Sequence, residues 1–205
     1  MTKPPPPPPD DLRVVPADTL ELLDAVQALR YRVFVGELGL QPEGADHSRR
    51  VLIEIADATG RNFIGLRGDE AVGSVRINVV ADGGVDDYVA TYGIAALGAG
   101  FEEQTAIVTR LIRRGEKGAG PLIYMLVTEI LRVVAERKLR YIVIGASAEL
   151  EGFYLAMGFT LFRDPVISPS GAERMVFLID VKDQRHMNGK TLVGWLYPDL
   201  FRSTG

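Results

Sequence analysis

The hydrophobic period changes twice between Thr105 and Gly145, and no other stretch restricts the fold as much. Thr105 to Ile112 is a β-branched run that reads as a strand. It gives way to Gly115-Glu116-Lys117-Gly118-Ala119-Gly120 and then to Pro121, a residue suited to a first helical turn. Leu122, Leu126, Ile130 and Val134, with Ile123, Val127 and Leu131 beside them, repeat at helical spacing. They predict a long amphipathic helix ending near Lys138, with Arg137 and Lys138 placed favourably against the helix dipole. Tyr141 to Gly145 is an apolar run typical of a buried strand. Glycines let the backbone approach an anion closely, and the free N–H groups of a starting helix point at it, so a phosphate or pyrophosphate is the natural ligand of this loop. A tight strand-to-helix turn would need the same glycines. The order Gly-x-x-Gly-x-Gly is the reverse of the dinucleotide fingerprint, and no Gly-Lys-Ser or Gly-Lys-Thr makes a Walker loop.

Around this unit the chain reads as one domain. Pro4 to Pro9 lack N–H donors and favour polyproline II, so residues 1–10 are expected to form a disordered, extended tail. Leu12 to Val15 predicts a short strand. Asp18 and Glu21 supply a cap and its capping-box partner for a helix from Thr19 to Leu38, which carries Leu22, Val26, Leu29 and Val33 on one face and stops at Gly39. Strands are predicted over Val51–Ala56, Asn62–Leu66 and Ala71–Val80, the last two joined by a turn at Gly68 and Asp69. Ala81 to Gly100 has no clear period and reads as loop with a short helix at most. Ser147 caps a short helix that Gly158 ends, and Thr160–Arg163 and Glu173–Val181 read as closing strands. The order β, α, β, β, β, β, α, β, α, β, β makes residues 11–182 an α/β (α+β) layer system with the glycine loop in the middle of a mixed sheet. Residues 183–205 carry Leu192, Val193, Trp195, Leu196, Tyr197, Leu200 and Phe201. This aromatic extension is too apolar for a free tail and is expected to pack on the domain or on a second copy, as in a homodimer.

Composition narrows the function by exclusion. Lys and Arg number 23 against 27 Asp and Glu, a formal charge of −4, so no global positive field favours nucleic acid as a partner. Absence of Cys removes thiol nucleophiles and Cys-ligated metals, and two His, His47 and His186, leave no metal cluster to argue for. Both histidines read as surface residues. The longest uncharged stretch, Tyr88 to Phe101, is 14 residues, short of the roughly 18 of a membrane span. With no apolar leader after Met1, the protein is read as cytoplasmic. Chemistry then rests on Asp, Glu, Tyr, Ser, Arg and backbone groups.

Glu151-Gly152-Phe153-Tyr154-Leu155-Ala156-Met157-Gly158-Phe159 follows a buried strand and has the form F-Y-x-x-x-G-F. Together with the strand, glycine turn and helix before it, this segment resembles the core of the GNAT acyltransferase superfamily. The resemblance covers Thr105 to Phe159 in motif and about Leu12 to Val181 in element order. It implies a GNAT-like mixed, mostly antiparallel central sheet with helices on both faces. It also implies a thioester co-substrate, acyl-CoA or acyl carrier protein, whose pantetheine arm lies in a splay between two central strands, and no metal. The carrier's pyrophosphate would be held by Leu111, Ile112, Arg113, Arg114, Gly115, Lys117, Gly118, Ala119 and Gly120. Gly115 stands where the family usually has Arg or Gln, and the loop is about three residues shorter than usual. Arg113, Arg114 or Lys117 would replace that grip, or the carrier differs.

Leu29-Arg30-Tyr31-Arg32-Val33-Phe34-Val35-Gly36-Glu37-Leu38-Gly39 is similar to the opening helix of acyl-homoserine lactone synthases and of the related long-chain N-acyl amino acid synthases. Gly73-Ser74-Val75-Arg76-Ile77 and Thr109-Arg110-Leu111 resemble two of their arginine-bearing strands. Leu40 lies where the lactone synthases carry Trp, Ile107 where they carry Glu, and their acidic stretch is reduced to Glu43 and Asp46. Lactone formation from S-adenosylmethionine is thereby disfavoured, and the F-Y-x-x-x-G-F helix fits the N-acyl amino acid branch. The implied reaction is N-acyl transfer from the thioester to a primary amine, that of an amino acid. A non-catalytic acyl-CoA sensor and a lactone synthase stay open as alternatives.

Tyr154 is the residue that the resemblance assigns to protonating the departing thiolate. A phenol near pKa 10 returns a proton to an alkyl thiolate, near 8.5, without a large penalty. A core tyrosine with its hydroxyl at the surface is the other reading. Glu103 and Glu43 are candidates for taking the amine's proton, as is ordered water. Arg30 and Phe34 share a helix face, and with Arg76 and Arg110 they are the candidates for substrate binding. Each arginine interrupts an apolar pattern, so it either makes a structural ion pair or clamps a carboxylate bidentately. Arg110, Arg113, Arg114, Lys117, Arg132, Arg137, Lys138 and Arg140 form a basic cluster, either a docking face for acidic acyl carrier protein or a solvated surface.

Overall fold

Strand propensity and two-sided burial bring seven strands into one sheet. In the computed structural model, residues 8–114, 120–169, 171–187 and 191–202 are described; most of the proline tail, and Gly115, Lys117, Gly118 and Ala119, lie outside them. The elements in chain order are β1 (Leu12–Pro16), α1 (Leu20–Tyr31), β2 (Ala45–Asp46), β3 (Val51–Leu52), β4 (Arg61–Arg67), β5 (Glu70–Val79), α2 (Asp86–Tyr92), α3 (Phe101–Gln104) and β6 (Thr105–Arg113). They continue with α4 (Pro121–Glu136), β7 (Tyr141–Ala146), α5 (Glu151–Met157), β8 (Thr160–Ile167), β9 (Glu173–Asp180), α6 (Gln184–Met187), α7 (Leu192–Leu196) and α8 (Pro198–Arg202). The main sheet runs β1-β4-β5-β6-β7-β9-β8, while β2 and β3 pair separately. Every neighbouring pair of the main sheet is antiparallel except β6 with β7.

Helices cover both faces. The apolar stripe of α4, with Leu126, Ile130 and Val134, packs on Val75, Val108, Ile142 and Phe177. On the other face α2 brings Tyr92 onto Ile107, Val143 and Val176, and α1 sets Val26 on Ile64 and Leu66. Coverage on both sides is why β5 is buried nearly end to end instead of alternating. Gly65 and Gly73, side by side on β4 and β5, leave room for Leu122; a Cβ on either would collide with it, so the first turn of α4 sits close on the sheet. No described helix is long and apolar enough to cross a membrane.

The structure departs from the sequence reading in places. Thr19, not Asp18, caps α1, accepting the Leu22 N–H at 3.3 Å. The α-helix ends at Tyr31 and continues through Arg32–Glu37 as π-helix. Val51–Ala56 is not one strand: only Val51 and Leu52 pair, and Ile55–Asp57 is a 3-10 turn boxed by Glu54 and Asp57, whose side chains cap each other's backbone N–H groups. Ala81–Gly100 is mostly helical turns, and the Ser147 side chain makes no capping bond. His186 is not a surface residue but 1% exposed, its Nδ1 2.8 Å from the Thr191 hydroxyl, and burial pushes its pKa down. Leu192 and Val193 of the aromatic extension are buried in the same cluster as α4.

Candidate active site

Parallel pairing of β6 with β7 runs only from Thr105↔Tyr141 to Val108↔Ile144. Beyond it β6 stays on β5 while β7 follows β9 to Ala146↔Met175, so the two central strands part. The cause lies in β6. Its partners on β5 step from Arg76↔Thr109 to Ser74↔Ile112, leaving Val75 opposite two residues, and Arg110 adopts φ 56°. Such a bulge bends and twists its strand. A left-handed conformation costs a non-glycine residue energy, which the side chain offsets. Arg110 forms a two-pronged ion pair with Glu54, Nε to Oε2 at 2.7 Å and Nη2 to Oε1, and its guanidinium lies 4.5 Å from the Phe34 ring centroid.

The gap opens into a cavity of about 190 Å³ walled by Phe34, Tyr88, Tyr92, Arg110, Ser168 and Arg174. Beneath it an apolar pocket of about 20 Å³, bounded by Val108, Ile130, Met157, Phe159 and Val193, shares Leu111, Ile144 and Tyr154 with the cavity. Gly145 is bare backbone because a Cβ there would strike the Tyr92 hydroxyl; that close approach lets the ring form the wall. Tyr154 itself is 4% exposed, stacked on Phe177 and edge-on to Phe153 and Phe159. Its hydroxyl bonds no described residue. Burial pushes this phenol's pKa up, against the pull of the Arg174 charge, so it stays protonated throughout the working range and is a weaker acid than a free phenol.

Arg30 and Arg76 are fully buried in one charge network with Arg110. Arg30 reaches Asp57 at 2.6 Å and Asn62 at 2.5 Å; Arg76 reaches Asp57 at 2.9 Å, Glu54 at 3.2 Å and Thr109 at 3.1 Å. Burial raises both carboxyl pKa values, but the surrounding arginines outweigh it and hold Glu54 and Asp57 below the usual carboxylate range. Burial likewise pulls the Arg30 pKa down, opposed by Asp57. Three cations face two anions, and only Arg110 of the three lines the cavity.

The remaining predicted residues are scattered. Leu111 lines both cavities, whereas Ile112 is buried and lines neither. Arg113 lies against Gly120 at the start of α4, and Arg114 pairs with Glu37 at 2.9 Å and Glu70 at 3.5 Å. Glu103 is exposed on α3 at the opposite end of β6, about 17 Å of strand from Arg110. Glu43 is exposed before β2 and does not line the cavity. Arg132, Arg137 and Arg140 of the basic cluster are paired with Glu129, Asp82 and Asp180. An open groove of about 500 Å³ near Arg61 and Glu136 lies away from the parted strands, and those two side chains pair at 2.7 Å. Among the described residues no three His, Asp or Glu side chains converge as a metal site would require.

Sequence reasoning missed Glu54, Asp57, Tyr88, Tyr92 and Arg174. The first two had a signal: acids three apart in an apolar run need buried cations, and Arg30, Arg76 and Arg110 equally need acids. No family model matches the sequence, and no curated protein is similar to it. Solved structures are. FeeM, an N-acyl amino acid synthase from uncultured soil microbes, superimposes with a TM-score of 0.70 at 16% identity, over 90% of this chain and 96% of that one. BjaI, a CoA-dependent acyl-homoserine lactone synthase with SAM and isopentyl-CoA, gives 0.66 at 15% identity over 92% and 88%. LasI, an acyl-homoserine lactone synthase, gives 0.61 at 18% identity over 87% and 94%. The likeness is one of fold: the chain has the GNAT-like mixed, mostly antiparallel sheet with helices on both faces.

Proposed function

We propose that the protein is an N-acyltransferase that moves an acyl group from a thioester, of coenzyme A or acyl carrier protein, to the primary amine of an amino acid. One observation carries this reading: a cationic polar cavity and an apolar pocket meet at Tyr154 where the central strands part. The names of the similar structures, an N-acyl amino acid synthase and acyl-homoserine lactone synthases, support it.

In this reading the thioester carbonyl lies in the gap, its acyl end toward the apolar pocket, which at about 20 Å³ has room as it stands for one small group. Backbone N–H groups on the β7-facing edge of Thr109–Arg113, which have no strand partner there, stabilise the oxyanion. The neutral amine attacks the carbonyl carbon, an N–C bond forms, and collapse breaks the C–S bond. Tyr154 gives its proton to the departing sulfur. Among the described residues no carboxylate lines the cavity, and Glu54 is engaged by Arg110, so the amine releases its proton to water, from which the Tyr154 phenolate is reprotonated. Arg113 and Gly120 stand where the carrier's phosphates would approach α4. Arg110 and Phe34 form the floor on which the acceptor rests.

Thiol release, followed with acyl-CoA and acyl carrier protein donors against a panel of amines, tests the reading. Amine-dependent release is expected. Tyr154→Phe is expected to lower kcat about 100-fold with little change in melting temperature; unchanged turnover removes the residue's role. Tight thioester binding with no release for any amine would identify a sensor instead.

A further inference from the structure

We infer that Arg174 holds the carboxylate of the incoming amine, so that the cavity selects amino acids over simple amines; this rests on the acyl-transfer reading. Arg174 lies two residues before Val176 on β9 and shares its face of the sheet, the face of Tyr92 and α2. It lines the cavity beside Arg110 and Ser168. The arginines of the buried network are already matched, Arg110 by Glu54 and both Arg30 and Arg76 by Asp57, whereas Arg174 is half-buried. Arg174 has no acidic partner among the described residues, and its hydrogen bond goes to the Glu173 carbonyl at 2.8 Å.

Its position is central as well as unmatched. Burial pushes the Tyr92 and Tyr154 phenols up, and the charge of Arg174 opposes the shift in both. The guanidinium therefore stands within electrostatic reach of the ring that walls the cavity and the ring at its base. A partly buried guanidinium fork in a cavity with no counter-charge is complementary to a planar carboxylate, which it takes through two parallel N–H···O bonds. A carrier phosphate fits this place less well. The first turn of α4 rests over β4 and β5 on the opposite face, across the gap from β9. In an amino acid the amine is one carbon from the carboxylate, so anchoring one end places the other.

The test compares the wild type with Arg174→Gln and Arg174→Lys in two assays. Acyl transfer is measured to an amino acid and to the amine that lacks only its carboxylate. Titration calorimetry compares binding of an N-acyl amino acid with its C-terminal amide, without turnover. The wild type is expected to prefer the carboxylate form about 10- to 100-fold in both. Arg174→Gln is expected to bring the ratio near one through a rise in KM, with Arg174→Lys restoring part of it. Equal binding of the two forms by the wild type, or an unchanged binding ratio in Arg174→Gln, overturns the inference even if acyl transfer proceeds. Should no amine release thiol while the binding preference still depends on Arg174, the acyl-transfer reading falls and the carboxylate site stands.

Discussion

Asp57 shows what a single side chain does in this fold. Its carboxylate, 5% exposed, answers two guanidinium groups that have no exposure at all. Asp57→Asn removes the charge and keeps the shape, leaving Arg30 without the one acidic partner it has among the described residues. Breaking a buried pair in this way costs about 3–5 kcal/mol, read as a lower midpoint in urea unfolding. The pH dependence follows from the depressed pKa values of Glu54 and Asp57. Depressed folded values mean stabilisation that is complete above the unfolded carboxylate pKa, about 4, and lost as pH falls through the folded values. The wild type is therefore expected to lose stability below about pH 4, and Asp57→Asn to show a shallower loss over the same range. These residues were half legible. Arginines in apolar patterns announced buried partners, but the acids that answer them sit 27 and 56 positions away, beyond any local pattern.

At the level of elements, the bulge in β6 makes the site. Periodicity located β6, α4 and β7 to within a residue or two, because each buries a regular face. It could not locate the bulge, since Arg110 is not a residue that prefers positive φ; Glu54 and Phe34 hold it there from distant elements. Two substitutions separate backbone from side chain. Arg110→Gly keeps access to φ 56° and loses the ion pair, whereas Arg110→Val loses both, and a β-branched residue is especially strained there. Arg110→Val is expected to be less stable than Arg110→Gly by roughly 1 kcal/mol or more in thermal unfolding. Equal stabilities would mean that the backbone conformation is not under strain. The misread strand at Val51–Ala56 has a similar origin: Glu54 and Asp57 close a capping box that halts pairing after Leu52.

Across the whole molecule, element order and two-sided coverage were readable because they follow from hydrophobic spacing, while the cavity walls were not. Tyr92 and Arg174 come from a stretch with no period and from the exposed start of a strand, and only the folded sheet brings them together. The same sheet contains a weak seam. Four residue pairs join β1-β4-β5-β6 to β7-β9-β8, against longer ladders within each half. Any occupant lying across the gap acts as a rivet between two plates. Adding an acyl thioester is expected to slow amide hydrogen exchange in β6 and β7 together, including at residues remote from the bound atoms. Protection confined to one plate would show that the occupant leans on a single wall and leaves the seam to breathe.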